Sequence, residues 1–148
     1  MHTPDFTNTA HAITTADLNE LEEKYGFAFP QDFRLHYLRY NGGSPTKCLY
    51  NKGGDIFVLQ EFLPVKFGEG RLEDSFRHLT VEDAILPAHL VPFAVDPGGD
   101  YYCFSTREED RGSIWFYIGE YRDEPDRAVE YLAKSLPDFM ERMTEEED

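Results

Sequence analysis

The sequence is poor in basic residues, in cysteine and in long apolar runs. Lys and Arg together number 14 against 29 Asp and Glu, a formal charge of −15. A field of that sign repels phosphate backbones and anionic membrane surfaces, so nucleic acid and membrane are excluded as expected partners. It favours a protein partner with a basic surface. The two cysteines, Cys48 and Cys103, show no CxxC spacing. They read as ordinary thiols of a reduced, cytoplasmic protein. No apolar run approaches the ~20 residues of a membrane span. The opening "MHTPDFTNTAHA" has neither a basic start nor an apolar core, so it does not read as a signal peptide. Residues 1–12 are expected to form a flexible polar lead-in.

Spacings that carry chemistry are also missing. His2, His11, His36, His78 and His89 fall in no HExxH or other metal-ligand pattern. There is no GxSxG elbow, no Walker A run and no EF-hand loop. Gly68-Glu69-Gly70-Arg71 opens like a dinucleotide fingerprint but lacks the third glycine and the strand-to-helix setting. Neither a metal nor a cofactor is expected. One pair of carboxylates, Asp96 and Asp100, flanks Pro97-Gly98-Gly99. Such a pair can serve acid/base or metal chemistry. It can equally cap the amides of a tight turn, and the glycines favour that account.

What is present is an ordered series of elements in a chain long enough for one domain. "AITTADLNELEEKYG" predicts a first helix, with Thr14 as N-cap, Asp17 at N3 and a hydrophobic staple from Ile13 to Leu18. Gly26 closes it. Pro30 predicts the first turn of a second helix, whose Phe33, Tyr37 and Tyr40 share a face. Asn41, Gly42 and Gly43 tolerate φ > 0 and end that helix sharply. "DIFVLQEFLPV" reads as a strand after the turn "NKGGD". A short helix is expected over 72–79 and a single turn near 81–86. "LVPFAVD", "YYCFST" and "SIWFYIGEY" read as strands joined by hairpins. Val129, Leu132, Ala133 and Leu136 fall at i, i+3, i+4 and i+7, predicting a helix. A last short helix after Pro137 would carry Phe139, Met140 and Met143, before an acidic tail at 144–148. Helices, then strands, then helices give an α+β class: a curved, mostly antiparallel sheet of four to six strands with two N-terminal helices and C-terminal helices around it.

The aromatic residues Tyr101, Tyr102, Phe104, Trp115, Phe116, Tyr117 and Tyr121 concentrate on the last strands, beside Glu108, Glu109 and Asp110. Exposed Tyr and Trp within an acidic rim are what a protein-binding surface uses. Candidate contacts are therefore Asp96, Asp100, Tyr101, Glu108, Glu109, Asp110 and Tyr117.

The order of "ITTADLNELEEKYGFAFPQDFRLHYLRYNGG", "VPFAVDPGGDYYCFS", "SIWFYIGE" and "AKSLPDFMERM" resembles the SUKH superfamily, which holds bacterial immunity proteins and fungal cell-wall assembly regulators. The resemblance spans residues 13–143 and implies a single α+β domain without enzymatic activity. It implies that Pro30, Asn41, Gly42, Gly43 and Gly99, with Gly98 beside it, are structural, and that Asp96 and Asp100 are structural with a candidate contact role. Bacterial members look like antidotes that occlude toxins, often nucleases or deaminases. The fungal members add long flexible extensions, whereas the resemblance here covers the domain alone, so a dedicated binder is expected rather than a multi-partner scaffold. The expected function is neutralisation of a basic toxin. The alternatives are a regulatory interaction module, and a metal-dependent enzyme built on Asp96 and Asp100.

Overall fold

Thr14 Oγ1 accepts from the Asp17 amide at 3.2 Å while the Asp17 carboxylate accepts from the Thr14 amide at 2.9 Å. This reciprocal cap starts α1 (Thr15–Tyr25), and Gly26 at φ 78 ends it. In the computed structural model, which describes residues 6–145, α2 (Gln31–Arg39) follows, with Pro30 at its N-cap. Before these helices lies β1 (Phe6–Thr7); after them come β2 (Ser44–Pro45), β3 (Leu49–Lys52), β4 (Asp55–Val58) and β5 (Glu61–Phe62). Next are α3 (Leu72–Ser75) and a π-helical segment (Phe76–Glu82), then β6 (Leu90–Val95), β7 (Tyr101–Ser105) and β8 (Ile114–Tyr117). A 3-10 turn (Gly119–Tyr121), α4 (Pro125–Ala128), β9 (Val129–Ala133), α5 (Leu136–Glu141) and β10 (Met143–Thr144) complete the series among the described residues.

The strands form three antiparallel sheets among the described residues, in the orders β1-β2, β10-β3-β4 and β5-β6-β7-β8-β9. Alternation along β6, β7 and β8 sends Val91, Phe93, Tyr102, Phe104, Ile114 and Phe116 to one face. There they meet Leu18, Phe33 and Tyr37 from the N-terminal helices and Phe139 from α5. Phe33 packs at 4.4 Å from Phe104 and 5.0 Å from Phe93, centroid to centroid. The opposite face is covered too: Leu86, Leu90, Cys103, Tyr117 and Ala128 form a second, smaller core.

The stop after α2 is built from Asn41. Its buried side chain donates to the carbonyls of His11 and Val65 and accepts from the Val65 amide, each at 2.8 Å. Gly42 and Gly43 take φ of 75 and 96. A Cβ on Gly43 would lie 2.6 Å from the Thr7 carbonyl oxygen. The close approach of the N-terminal segment requires glycine there.

Several expectations are corrected. Phe6 and Thr7, placed by the sequence in the flexible lead-in, pair with Pro45 and Ser44, and Phe6 stacks on Tyr40 at 4.8 Å. His2 and positions 146–148 of the acidic tail lie outside the described residues. "DIFVLQEFLPV" is two strands, because the chain changes sheet between them: the Leu59 amide bonds Cys48, the Gln60 amide bonds Val95. The helix expected to 79 holds α geometry only to Ser75 and then widens into the π-helical segment, with Thr80 Oγ1 donating to the Leu90 carbonyl at 3.1 Å. Val129–Ala133 is strand β9, not helix. The β8–β9 register shifts between Ile114 and Trp115, so Leu132 and Ala133 are both buried. That bulge reproduces helical spacing in an extended segment. Met143 belongs to β10, opposite Tyr50, rather than to the last helix.

Candidate functional site

The two acidic features singled out in the sequence lie at opposite ends of β7. At one end is the β6–β7 turn. Asp96 Oδ1 accepts from the amides of Gly98 and Asp100 at 2.9 and 2.8 Å, and Gly99 sits at φ 94. Asp100 Oδ1 accepts from the Gly119 amide at 3.0 Å, tying this turn to the 3-10 turn after β8. Both carboxylates thus hold backbone amides. Among the described residues, no three His, Cys, Asp or Glu side chains come together to hold a metal ion.

Tyr101 and Tyr117 stand opposite each other on β7 and β8. Tyr101 is half-buried, and burial raises its phenol pKa. Tyr117 is buried in the second core, and its hydroxyl has no hydrogen-bond partner among the described residues. Burial raises its pKa as well. The candidate contact role of Tyr117 is therefore corrected: alternation turns this ring inward under Leu86 and Ala128.

The other end is the β7–β8 hairpin. Ser105 Oγ donates to Asp110 Oδ1 at 2.6 Å, and Arg107 Nε donates to the same oxygen at 3.1 Å. The Arg107 guanidinium also pairs with Asp110 Oδ2 and holds the carboxyl below the usual carboxylate range. Arg111 reaches back to the carbonyls of Ala28 and Phe29, each at 3.2 Å. Gly112, at φ 86, lies against Pro30, where a Cβ would meet the proline ring at 3.4 Å. The hairpin is thereby fastened to the α1–α2 connection, and its apex projects Glu108 and Glu109 into solvent.

Beside this apex lies a cleft of about 400 Å³, lined by Glu108, Glu109, Asp110, Tyr131 and Lys134. Tyr131 is 43% exposed and meets Trp115 edge-on at 5.4 Å. Trp115 Nε1 donates to Ser113 Oγ at 2.8 Å, so the indole has a fixed orientation. The structure thus brings Glu108, Glu109 and Asp110 together with the exposed Tyr131, which is backed by the half-buried Trp115. It leaves Asp96, Asp100, Tyr101 and Tyr117 at the far end of β7, roughly 15 Å away at the usual rise per residue.

Sequence reasoning missed Tyr131, because "VEYLA" was read as helix. Its β-branched and aromatic content was the available signal. It also missed Glu73, buried with Oε2 accepting from the Lys66 amide at 2.8 Å and Oε1 without a partner among the described residues. Burial raises its carboxyl pKa.

No curated protein matches this chain. A family model described as the SMI1 / KNR4 family (SUKH-1) matches residues 12–142, most of the chain's 148 residues, and the chain belongs to that family.

Proposed function

We propose that this protein is a non-enzymatic binding protein that neutralises a basic bacterial toxin of nuclease or deaminase type by occluding it. Membership of the family supports an interaction or immunity-type role. The observation that carries the finer reading is the apex: Glu108 and Glu109 exposed on an anchored hairpin, beside the Tyr131–Trp115 pair. Aromatic anchors within a charged rim suit a protein interface. A chain at −15 steers a basic surface toward that rim, and the same basic surface is what a nuclease needs for its phosphate substrate. Occupying it blocks the toxin without any bond being made or broken. Asp96 and Asp100 play no part in this reading beyond holding their turn.

The test is the binding rate constant of the protein for the toxin encoded by the adjacent gene, measured across ionic strength. Association is expected to slow steeply with added salt. Glu108→Lys combined with Glu109→Lys is expected to slow it by about tenfold or more at low salt. Tyr131→Ala is expected to speed dissociation instead. Association unaffected by both salt and the double reversal would overturn the electrostatic reading.

A further inference from the structure

The face of α2 turned toward α5 carries Asp32, Leu35, His36 and Arg39, at i, i+3, i+4 and i+7. With Phe6 and Met140 these side chains line an apolar groove of about 350 Å³. It lies on a different part of the surface from the hairpin apex, and four observations there stand out. Leu35 is 60% exposed. Asp32 Oδ1 is buried and has no hydrogen-bond partner among the described residues. His36 Nε2 is in the same condition. Arg39 makes no salt bridge among the described residues and stacks over the Tyr40 ring at 5.2 Å.

The stripe is self-complementary. Its acid and its base lie at opposite ends, equally far from the point midway between Leu35 and His36: 35.5 − 32 = 3.5 and 39 − 35.5 = 3.5 residues. A two-fold axis through that point, perpendicular to α2, lays one helix antiparallel on another. It sets Asp32 of each copy opposite Arg39 of the other, and Leu35 opposite His36. An isologous contact needs this property, since one patch must match itself.

We propose that α2 is where two copies of this chain dock, antiparallel, with Asp32 and Arg39 forming two equivalent ion pairs across the axis. Leu35 of each copy seats in the groove of the other, against Met140 and the His36 ring. Arg39 then faces the half-buried Asp32 carboxylate across the axis. The nine residues of α2 span about 13 Å, so the contact is smaller than a standard stable interface and the dimer dissociates readily. Repulsion between two chains of −15 also opposes it. Association is therefore expected at high protein concentration and at physiological salt, where screening acts over about 8 Å. The proposal is independent of toxin binding and is read without any toxin.

Sedimentation velocity of the full chain at sub-millimolar concentration tests it. The unaltered protein is expected to show a concentration-dependent monomer–dimer equilibrium. Asp32→Arg or Arg39→Asp alone places like charges together at both pairs and is expected to weaken association by about tenfold or more. The combined variant Asp32→Arg/Arg39→Asp is expected to restore it. Leu35→Glu sits at an exposed position outside the core, so it leaves the fold intact and is expected to abolish the dimer. A protein that stays monomeric at every concentration overturns the proposal. So does a dimer indifferent to Leu35→Glu, or a folded double-reversal variant that remains monomeric.

Discussion

The imidazole of His36 lies 5.0 Å from the Phe6 ring and 4.8 Å from the Phe62 ring, centroid to centroid. Burial in that aromatic surround lowers its pKa to about 4, and the nearby Arg39 charge adds to the effect. An unfolded chain titrates its histidine near 6.5. Below that pH the unfolded state takes up a proton that the folded state refuses, so stability falls as pH drops from about 6.5 toward 4. The loss is about 3 kcal/mol in total. Asp32 and Glu73 act the other way: burial raises both carboxyl pKa values, so their protonation on acidification favours the folded state. Replacing His36→Phe is expected to flatten the decline, as read by urea unfolding at a series of pH values between neutral and 4. Equal declines in the two proteins would assign the acid sensitivity elsewhere. Neither His36 nor Glu73 stood out in the sequence, because burial of a polar side chain leaves no spacing to read. Asn41-Gly42-Gly43 did stand out. Its chemistry is local, a side chain that bonds backbone and two residues that accept positive φ, and the three bonds of Asn41 are that chemistry carried out.

Elements were legible wherever one period ran undisturbed. α1, α2 and the three central strands β6, β7 and β8 lie where capping, periodicity and hairpin turns put them. β9 was lost because its bulge breaks the two-residue alternation, and because its support comes from residues far away in sequence. Among the described residues its outer edge is closed by side chains of β3 rather than by another strand. Tyr50 Oη donates to the Leu132 carbonyl at 2.5 Å, and Lys52 Nζ donates to the Tyr131 carbonyl. These bonds join the three-stranded sheet to the five-stranded one. They also blunt an edge that would otherwise be open to pairing with other chains. Tyr50→Phe keeps the ring packed on Phe139 at 4.7 Å but leaves a buried carbonyl without its donor. The expected loss is about 1–3 kcal/mol in equilibrium unfolding. Faster amide exchange in β9 and β10 than in β6 and β7 is expected to accompany it, and a uniform change across all strands would argue against this local role.

At the scale of the whole molecule the charge imbalance is the dominant property. Several cations are already committed: Arg34 to Glu22, Lys66 to Asp17, Arg71 to Asp74 and Arg107 to Asp110. The remaining carboxylates therefore repel one another across the surface, which destabilises the folded chain at low ionic strength. The midpoint of thermal unfolding is expected to rise as neutral salt is added from low to physiological concentration. A midpoint that falls instead would show that the paired charges outweigh the surplus. Salt is therefore expected to act oppositely on the two properties, strengthening the fold while slowing the proposed capture of a basic partner. The fold class and the acidic rim could be read from composition and pattern. The meeting of that rim with Tyr131 could not, because it depends on the β8–β9 pairing. The bolting of the β7–β8 hairpin to the α1–α2 connection by Arg111 and Gly112 has a further consequence. Under the proposed function, the two glutamates at its tip meet their partner from a stationary mount, so little disorder is surrendered. On the same reading, substitutions at those two positions disturb little beyond the long Arg107–Glu109 pair at 3.9 Å, which gives the scaffold a place to change its target while keeping its shape.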